Sequence, residues 1–309
     1  MIDLKRMMLL CDLAELGTVT AVAERRHITS SAVSQQLRVL EEESSAVLFR
    51  RDGRTLGLTR SGEVLADHAR RVLGALDEAM SAVAATVDRA SGQLVVASFN
   101  MGISLLVAPM MQRLAEDAPD VRVLIQQENR ARALRLLRQG ETDLAITCAY
   151  GFGGHESQSG LMTVPLIDEP LVLMAPPRLH VAIRTRGLST LADEQWVSGT
   201  ADSGLGIAVM RAGERSGFIP RITHRLVGAR NICDVAGTGI GPAVVPLLTV
   251  PEHLRPLVVD DVTLETRQIQ AVVRAGRQRD PKTAIALRAL QLISEGALRA
   301  TRTPIGLAG

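Results

Sequence analysis

The side chains with the clearest chemical purpose stand together: Thr29, Ser30, Ser31, Ser34, Gln35 and Arg38. Val33, Leu37 and Leu40 recur among them at i, i+4 and i+7, the spacing of one buried helix face. The polar residues therefore crowd the exposed start of a helix. That is equipment for reading base edges. Glutamine pairs bidentately with adenine, arginine with guanine or a phosphate, and small hydroxyl residues let a helix tip enter the major groove. A second cluster follows. Between Arg50 and Arg60 there are four arginines against one acid, Asp52, a charge suited to backbone phosphates. The first sixty residues hold nine basic and eight acidic side chains, so this attraction is local. Other chemistries lack their residues. The six histidines (His27, His68, His155, His180, His224 and His253) are dispersed, and no zinc-protease, P-loop or nucleophile-elbow run occurs. Cys11, Cys148 and Cys233 show no ligand spacing and read as free thiols of a reducing compartment. The expectation is no catalytic set, no metal site and no cofactor. The glycine-rich run from Gly237 to Gly241 precedes a strand instead of following one, so it reads as a tight turn and not a dinucleotide loop.

The positioning elements follow from periodicity and capping. Leu4, Met8, Leu9, Leu13 and Leu16 predict a helix over 4–16 that ends at Gly17. Thr18 or Thr20 caps a second helix reaching about His27, and Thr29, Ser30 or Ser31 caps a third from Ser31 to about Glu43. Two short helices joined by a tight turn make a helix-turn-helix. Asp52-Gly53 signals a hairpin, the wing. Beyond it Ser61 is a plausible cap for a long helix. Its Leu65, Ala69, Val72, Leu76, Ala79, Val83 and Val87 form a heptad-like seam suited to a two-helix dimer, with packing on its own domain as the alternative. Ala90-Ser91-Gly92 is the hinge. From Gln93 short apolar strands alternate with helices, the pattern of an open α/β sheet. At 309 residues, 46% hydrophobic and 22% charged, the chain can build several aliphatic cores. One Trp, one Tyr and four Phe are too few for a base-stacking single-strand binder. Asp3, Asp12 and Glu15 interrupt any leader-like apolar run, and no membrane-length apolar stretch occurs, so the expected location is the cytoplasm.

The ordered set Ala32-Val33-Ser34-Gln35-Gln36-Leu37, Leu40-Glu41, Leu48-Phe49 and Leu58-Thr59-x-x-Gly62 resembles the N-terminal domain of LysR-type transcriptional regulators. The resemblance implies base and phosphate contacts at Thr29, Ser30, Ser31, Ser34, Gln35, Arg38, Arg51 and Arg54, and the linker-helix role for the seam. Departures stand at Thr18, Val22, Arg26 and Ser45, where the family commonly has Ser, Ala, Leu and Gly. Arg26 is the oddest, and the expectation is that it reaches solvent or a phosphate. Further on, Gly140-x-x-Asp143-Leu144-Ala145-Ile146, and Gly237-x-Gly239-Ile240-Gly241 before Val244-Val245-Pro246, resemble the family's effector domain. That domain is similar to type-2 periplasmic binding proteins: two α/β lobes, crossed twice by the chain, with a ligand cleft between.

The resemblance implies an α+β multidomain chain. Residues 1–60 would form a winged helix-turn-helix, 61–91 a linker helix and hinge, and 92–309 a two-lobed effector domain. Lobe 1 would take about 93–166 plus 268–293, and lobe 2 about 167–267. Ligands in open α/β sheets bind beyond carboxyl ends of strands, near helix starts. This selects Ser98, Phe99, Asn100 and Met101, with Thr200, Asp202 and Ser203 opposite and Tyr150 along the cleft. Few aromatics there favour a small polar or anionic effector. The expected partners are operator DNA, that effector and a second copy of the chain, as homodimer or homotetramer. Two other readings compete: a binding protein whose N-terminal domain has lost DNA affinity, hinted at by Arg26 and Ser45, and a lobed enzyme, disfavoured by the missing catalytic set.

Overall fold

A computed structural model describes residues 3–52, 55–84, 90–152, 160–260 and 262–302. Three helices open the chain, α1 (Leu4–Leu16), α2 (Val19–Arg26) and α3 (Ser30–Ser44). Each is capped by a side chain one residue ahead of it: Asp3 accepts from the Lys5 amide, Thr18 from Ala21, and Thr29 from Ala32. Gly17 ends α1 at φ 74°. His27 (φ 53°) and Ser45 (φ 52°) hold the same left-handed conformation without being glycine. Leu10, Leu13, Val22, Val33, Leu37, Leu40 and Leu48 form the core between these helices.

Two strands, β1 (Phe49–Asp52) and β2 (Thr55–Leu58), pair antiparallel as the wing. Their attachment explains the diagnostic residues. Glu41 Oε1 accepts from the amides of Leu48 (2.7 Å) and Phe49 (3.2 Å), tying α3 to the wing. Thr59, and not Ser61, caps the long helix α4 (Arg60–Ala84): its Oγ1 accepts from the Gly62 amide at 3.1 Å and donates to the Val47 carbonyl at 2.7 Å. Gly62 sits so close to the Leu48 backbone that a Cβ there would lie 2.2 Å from its carbonyl oxygen.

The remaining residues make a curled mixed sheet in the order β4-β3-β5-β10-β6-β9. Its strands are β3 (Gly92–Ser98), β4 (Val121–Gln127), β5 (Leu144–Tyr150), β6 (Leu161–Met174), β9 (Ala243–Pro246) and β10 (Thr266–Arg274). β7 (Gln195–Gly199) and β8 (Arg221–Leu226) form a separate parallel pair. The covering helices are α5 (Asn100–Gly102), continued through a π turn at Ile103–Val107 into α6 (Ala108–Asp117), and α7 (Arg130–Gln139), α8 (Pro177–Arg186), α9 (Gly204–Arg215), α10 (Ala229–Ala236) and α11 (Pro281–Arg302). The first of these helices begins at Asn100, directly after β3, and Tyr150 is the last residue of β5. Two cores result. One gathers around Leu94, Leu106, Met110, Leu144, Ile269 and Leu290, the other around Leu173, Trp196, Val209, Ile232 and Val245. β6 serves both, with Leu166 and Ile167 in the first and Leu171, Leu173 and Met174 in the second. β6 pairs with β10 along its first part and with β9 over Leu171–Met174.

These backbone constraints have opposite signs when tested. Gly62→Ala should cost about 1–3 kcal/mol or more, because α4 must move off Leu48. Ser45→Gly should add roughly 0.5–1 kcal/mol by relieving the left-handed serine. Calorimetric unfolding of the two variants checks both signs.

Candidate functional site

The candidate reading surface is built on α3. Thr29, Ser30, Ser31, Ser34, Gln35 and Arg38 are all exposed, while Val33, Leu37 and Leu40 are buried beneath them. The Thr29 and Ser31 hydroxyls lie 3.0 Å apart, so the cap residue also orients its neighbour. From the other side, Arg6 pins α3 to α1 by donating to Gln36 (3.0 Å) and pairing with Glu43 (2.7 Å). Helix position is thereby fixed from behind and the front stays open. Arg50 is exposed on β1 and Arg60 at the start of α4. Arg51 belongs to β1, whereas Arg54 lies outside the described residues.

Arg26 corrects the sequence reading. It points inward, with Nε 2.5 Å from Asp12 Oδ2, and Arg25 reaches the other oxygen of that carboxylate at 3.1 Å. Asp12 is buried, so both arginines neutralise a charge inside the helical core, Arg25 from a mostly buried position and Arg26 while still about a third exposed (31%) to solvent. Arg25 goes further. It pairs with Glu15 (3.4 Å) and donates to the amide oxygen of Gln139 on α7 (3.1 Å), docking the helical domain on the sheet domain. A cavity of about 820 Å³ lies between the two domains and α4, walled by Cys11, Arg50, Arg70, Asp77, Arg138 and Arg274 among others. It is separate from the cleft between the lobes.

The seam on α4 divides in two. Leu65 and Ala69 pack inward, the first against the helical core. Val72, Leu76, Ala79 and Val83 are exposed, joined by Met80, and Val87 lies outside the described residues. The opposite side of α4 is clamped to the sheet domain. Asp77 pairs with Arg274 (2.9 Å) and Arg277 (3.0 Å), and Glu78 with Arg279 (2.6 Å). Gly276 lies so close to the Glu78 backbone that a Cβ would meet its nitrogen at 2.5 Å.

In the cleft the structure gathers Phe99, Met101 and Tyr150 around a residue that sequence reasoning missed, Arg267. This guanidinium is 4% exposed and pairs through Nε with Glu169 Oε2 at 2.6 Å. Its Nη2 donates to Met101 Sδ at 3.3 Å, and the Phe99 ring lies below it at 5.8 Å. Glu169 spends its other oxygen on the Leu248 amide (2.7 Å). Burial opposes the charge on Arg267, but Cys148, Glu169 and Tyr150 together outweigh it and raise its pKa. Burial likewise pushes the Tyr150 phenol up to about 12, although Arg267 pulls it down, so the hydroxyl stays protonated. Tyr150 spans to the other lobe, where its ring covers Gly204 at the start of α9 so closely that a Cβ there would overlap it. Thr200, Asp202 and Ser203 lie at that helix start. Ser203 Oγ caps Gly206 (3.0 Å) and donates to the Thr200 carbonyl (2.7 Å), while Asp202 is exposed. Asn100 is exposed at the start of α5. Ser98 turns inward, fully buried, with its hydroxyl on the Phe99 carbonyl. Both strands also carry polar neighbours, exposed Asp168 beside Glu169 and half-buried Gln268 beside Arg267, so no local signal marks the buried charge.

Burial also governs the thiols. It pushes Cys11 and Cys148 up to about 11 and Cys233 to about 12. That leaves roughly one hundredth of the usual thiolate at neutral pH for Cys11 and Cys148, and less again for Cys233, so the first two set the fastest labelling. Alkylation of the folded chain by iodoacetamide should be slower than that of the urea-unfolded chain by about that factor, and should accelerate as pH rises toward 11. Fast labelling at pH 7 would contradict the buried thiol environments.

Comparison with known proteins agrees on both parts of the chain. Residues 4–63 match the family model described as "Bacterial regulatory helix-turn-helix protein, lysR family". Residues 88–292 match the model "LysR substrate binding domain". The RuBisCO operon transcriptional regulator of Allochromatium vinosum is 28% identical over 291 residues, covering 91% of this chain and 92% of that protein. A probable hydrogen peroxide-inducible genes activator of Mycobacterium xenopi is 32% identical over 174 residues, 53% of this chain and 89% of that one. Among solved structures, ArgP from Mycobacterium tuberculosis superposes with a TM-score of 0.61 at 22% identity, covering 96% of this chain and 98% of that one.

Proposed function

Because this chain belongs to the LysR family of transcriptional regulators, we propose that it reads operator DNA with the start of α3 and answers to a small molecule held between its lobes. The observation that carries the reading is the surface of α3: a helix whose exposed start bears only short hydroxyls, a glutamine and an arginine, braced from behind by Arg6, Glu41 and an aliphatic core. Thr29, Ser30, Ser31 and Ser34 would approach phosphates and base edges, Gln35 and Arg38 would discriminate bases, and the wing arginines Arg50, Arg51 and Arg54 would hold the backbone. The exposed stripe of Val72, Leu76, Met80 and Val83 would be covered by the same helix of a second copy. Two reading heads would then meet two half-sites. The work is done in the cytoplasm, where the operator is, and by binding instead of catalysis.

Mobility shift on the DNA upstream of its own gene tests this. Specific binding should weaken steeply with salt. Gln35→Ala and Arg38→Ala should each cost about 1–3 kcal/mol, with discrimination lost at one base position. Binding that ignores both substitutions would count against the reading and favour a sensor that has lost its DNA role.

The same strand serves the cleft and the linker. Arg267 opens β10 at the cleft and Arg274 closes it on α4, so a change around Arg267 can tilt β10 and, through Asp77, the linker helix. Asp77→Asn should release α4 from the sheet domain. The expected outcome is an altered DNase footprint or DNA bend with half-site affinity nearly intact. A footprint identical in wild type and Asp77→Asn would remove the clamp from the mechanism.

A further inference from the structure

We propose that the floor of the interlobe cleft binds a carboxylate, which Arg267 and Thr249 take up in place of the Met101 thioether. The inference rests on the effector-responsive reading above and names the ligand class for it. The observation is a mismatch of donors and acceptor. Thr249 Oγ1 donates to Met101 Sδ at 2.9 Å, and Arg267 Nη2 donates to the same sulfur at 3.3 Å. A thioether is a weak acceptor, whereas a hydroxyl and a buried guanidinium are strong donors. Two such donors converging on one sulfur in a buried place forgo most of their hydrogen-bond energy. Methionine is the side chain best able to leave, with three rotatable bonds and no strong partner to lose.

Glu169 does not fill this role. Its Oε2 is taken by Arg267 Nε and its Oε1 by the Leu248 amide, so it holds the arginine from one edge and leaves the Nη edge facing Met101. Tyr150 hydrogen-bonds to Arg267 and brings a phenol to the same cluster. The surroundings favour a monoanion. A carboxylate has two charged oxygens, one for the guanidinium and one for the Thr249 hydroxyl, and bonds to an ionised acceptor are the stronger kind. Arg130 adds positive charge nearby: it donates to Thr147 Oγ1 (3.2 Å) and to the Cys148 carbonyl (3.4 Å), and Cys148 feels both it and Arg267. A neutral amide would offer these donors a single uncharged acceptor. A doubly charged phosphate would be pressed against the Glu169 carboxylate.

Simple carboxylates serve as the probes. Full-length protein carrying methyl-¹³C methionine reports on Met101 directly, its signal assigned by loss in Met101→Leu. Acetate and succinate should move that signal saturably, while acetamide and sodium chloride at matched ionic strength should not. In Thr249→Val the acetate affinity should fall about three- to tenfold. Because Arg267→Gln alone strands a buried carboxylate and can unfold the chain, the double variant Glu169→Gln/Arg267→Gln is the second arm, and its response should vanish. An equal response to acetamide, no saturable response to either carboxylate, or a response kept in the double variant would each overturn the proposal. Mobility shifts on the same samples separate the two readings. Retained operator binding beside a negative titration overturns the carboxylate site alone, whereas lost operator binding strikes at the regulator.

Discussion

The buried pair of Arg267 and Glu169 is the interaction on which the sensor half depends. β6 and β10 are hydrogen-bonded neighbours with Arg267 directly opposite Glu169, and each contributes one member of the pair. An ion pair in that position is a poor stabiliser by itself, because desolvating two charges costs about as much as their attraction returns. Its value is positional. The pair fastens the two crossing strands at the level of the cleft, holds Leu248 through the second carboxylate oxygen, and leaves one edge of the guanidinium toward Met101. Apolar residues of the same size would pack equally well and would offer a ligand nothing to change.

A second buried charge organises the reading half by the same logic. Asp12 lies within the helical core and is held by Arg25 and Arg26 at once, so the charge of both arginines is spent largely on it. The domain thereby neutralises charge where it packs, while positive charge stays exposed on Arg38 and at Arg50 and Arg60. A nearly neutral domain can then bind a polyanion through a few well-placed side chains, with geometry more than bulk charge setting where it sits. Arg25 adds a consequence: the carboxylate inside the helical core is linked through this one side chain to Gln139 on the sensor lobe.

What is legible in the sequence is local. Helix caps at Thr18, Thr29 and Ser203, the left-handed Gly17 and Gly140, and the apolar spacing of Val33, Leu37 and Leu40 each depend on residues a few positions apart. Those signals place the helices of the reading domain almost to the residue. Long-range pairing is not legible. Glu169 and Arg267 lie far apart in the chain, and nothing in either strand announces the other. Arg26 stands out as an anomaly because its partner sits on a different helix; the anomaly is real, but the side chain turns inward and not outward. The strand at β7 and the helix at α8 are hard to see for another reason. Neither shows strong periodicity, and Trp196 and Ile183 become core only once β9 and α10 surround them. Ser98 illustrates the limit of the strand-end rule: the rule finds the right loop, but packing against Gly102 turns that hydroxyl inward.

A regulator of this build needs a rigid element between the site that senses and the helix that responds, and β10 meets the requirement. Arg267 and Arg274 are seven residues apart on one strand, a span of about 23 Å. β10 is paired on both sides, with β5 and β6, so it cannot bend without breaking ladders on two fronts. A displacement at its cleft end must therefore be carried as a tilt or slide of the whole strand. At the far end Arg274 is tied to Asp77 and also to the carbonyls of Leu137 and Thr142, which makes the linker helix and the start of β5 move with it. The register irregularity between Ile269 and Gln270, opposite β6, is the one place where that pairing gives. It lies between Arg267 and Arg274, on the cleft side of the strand, and regular pairing with β6 resumes from Gln270 to Arg274.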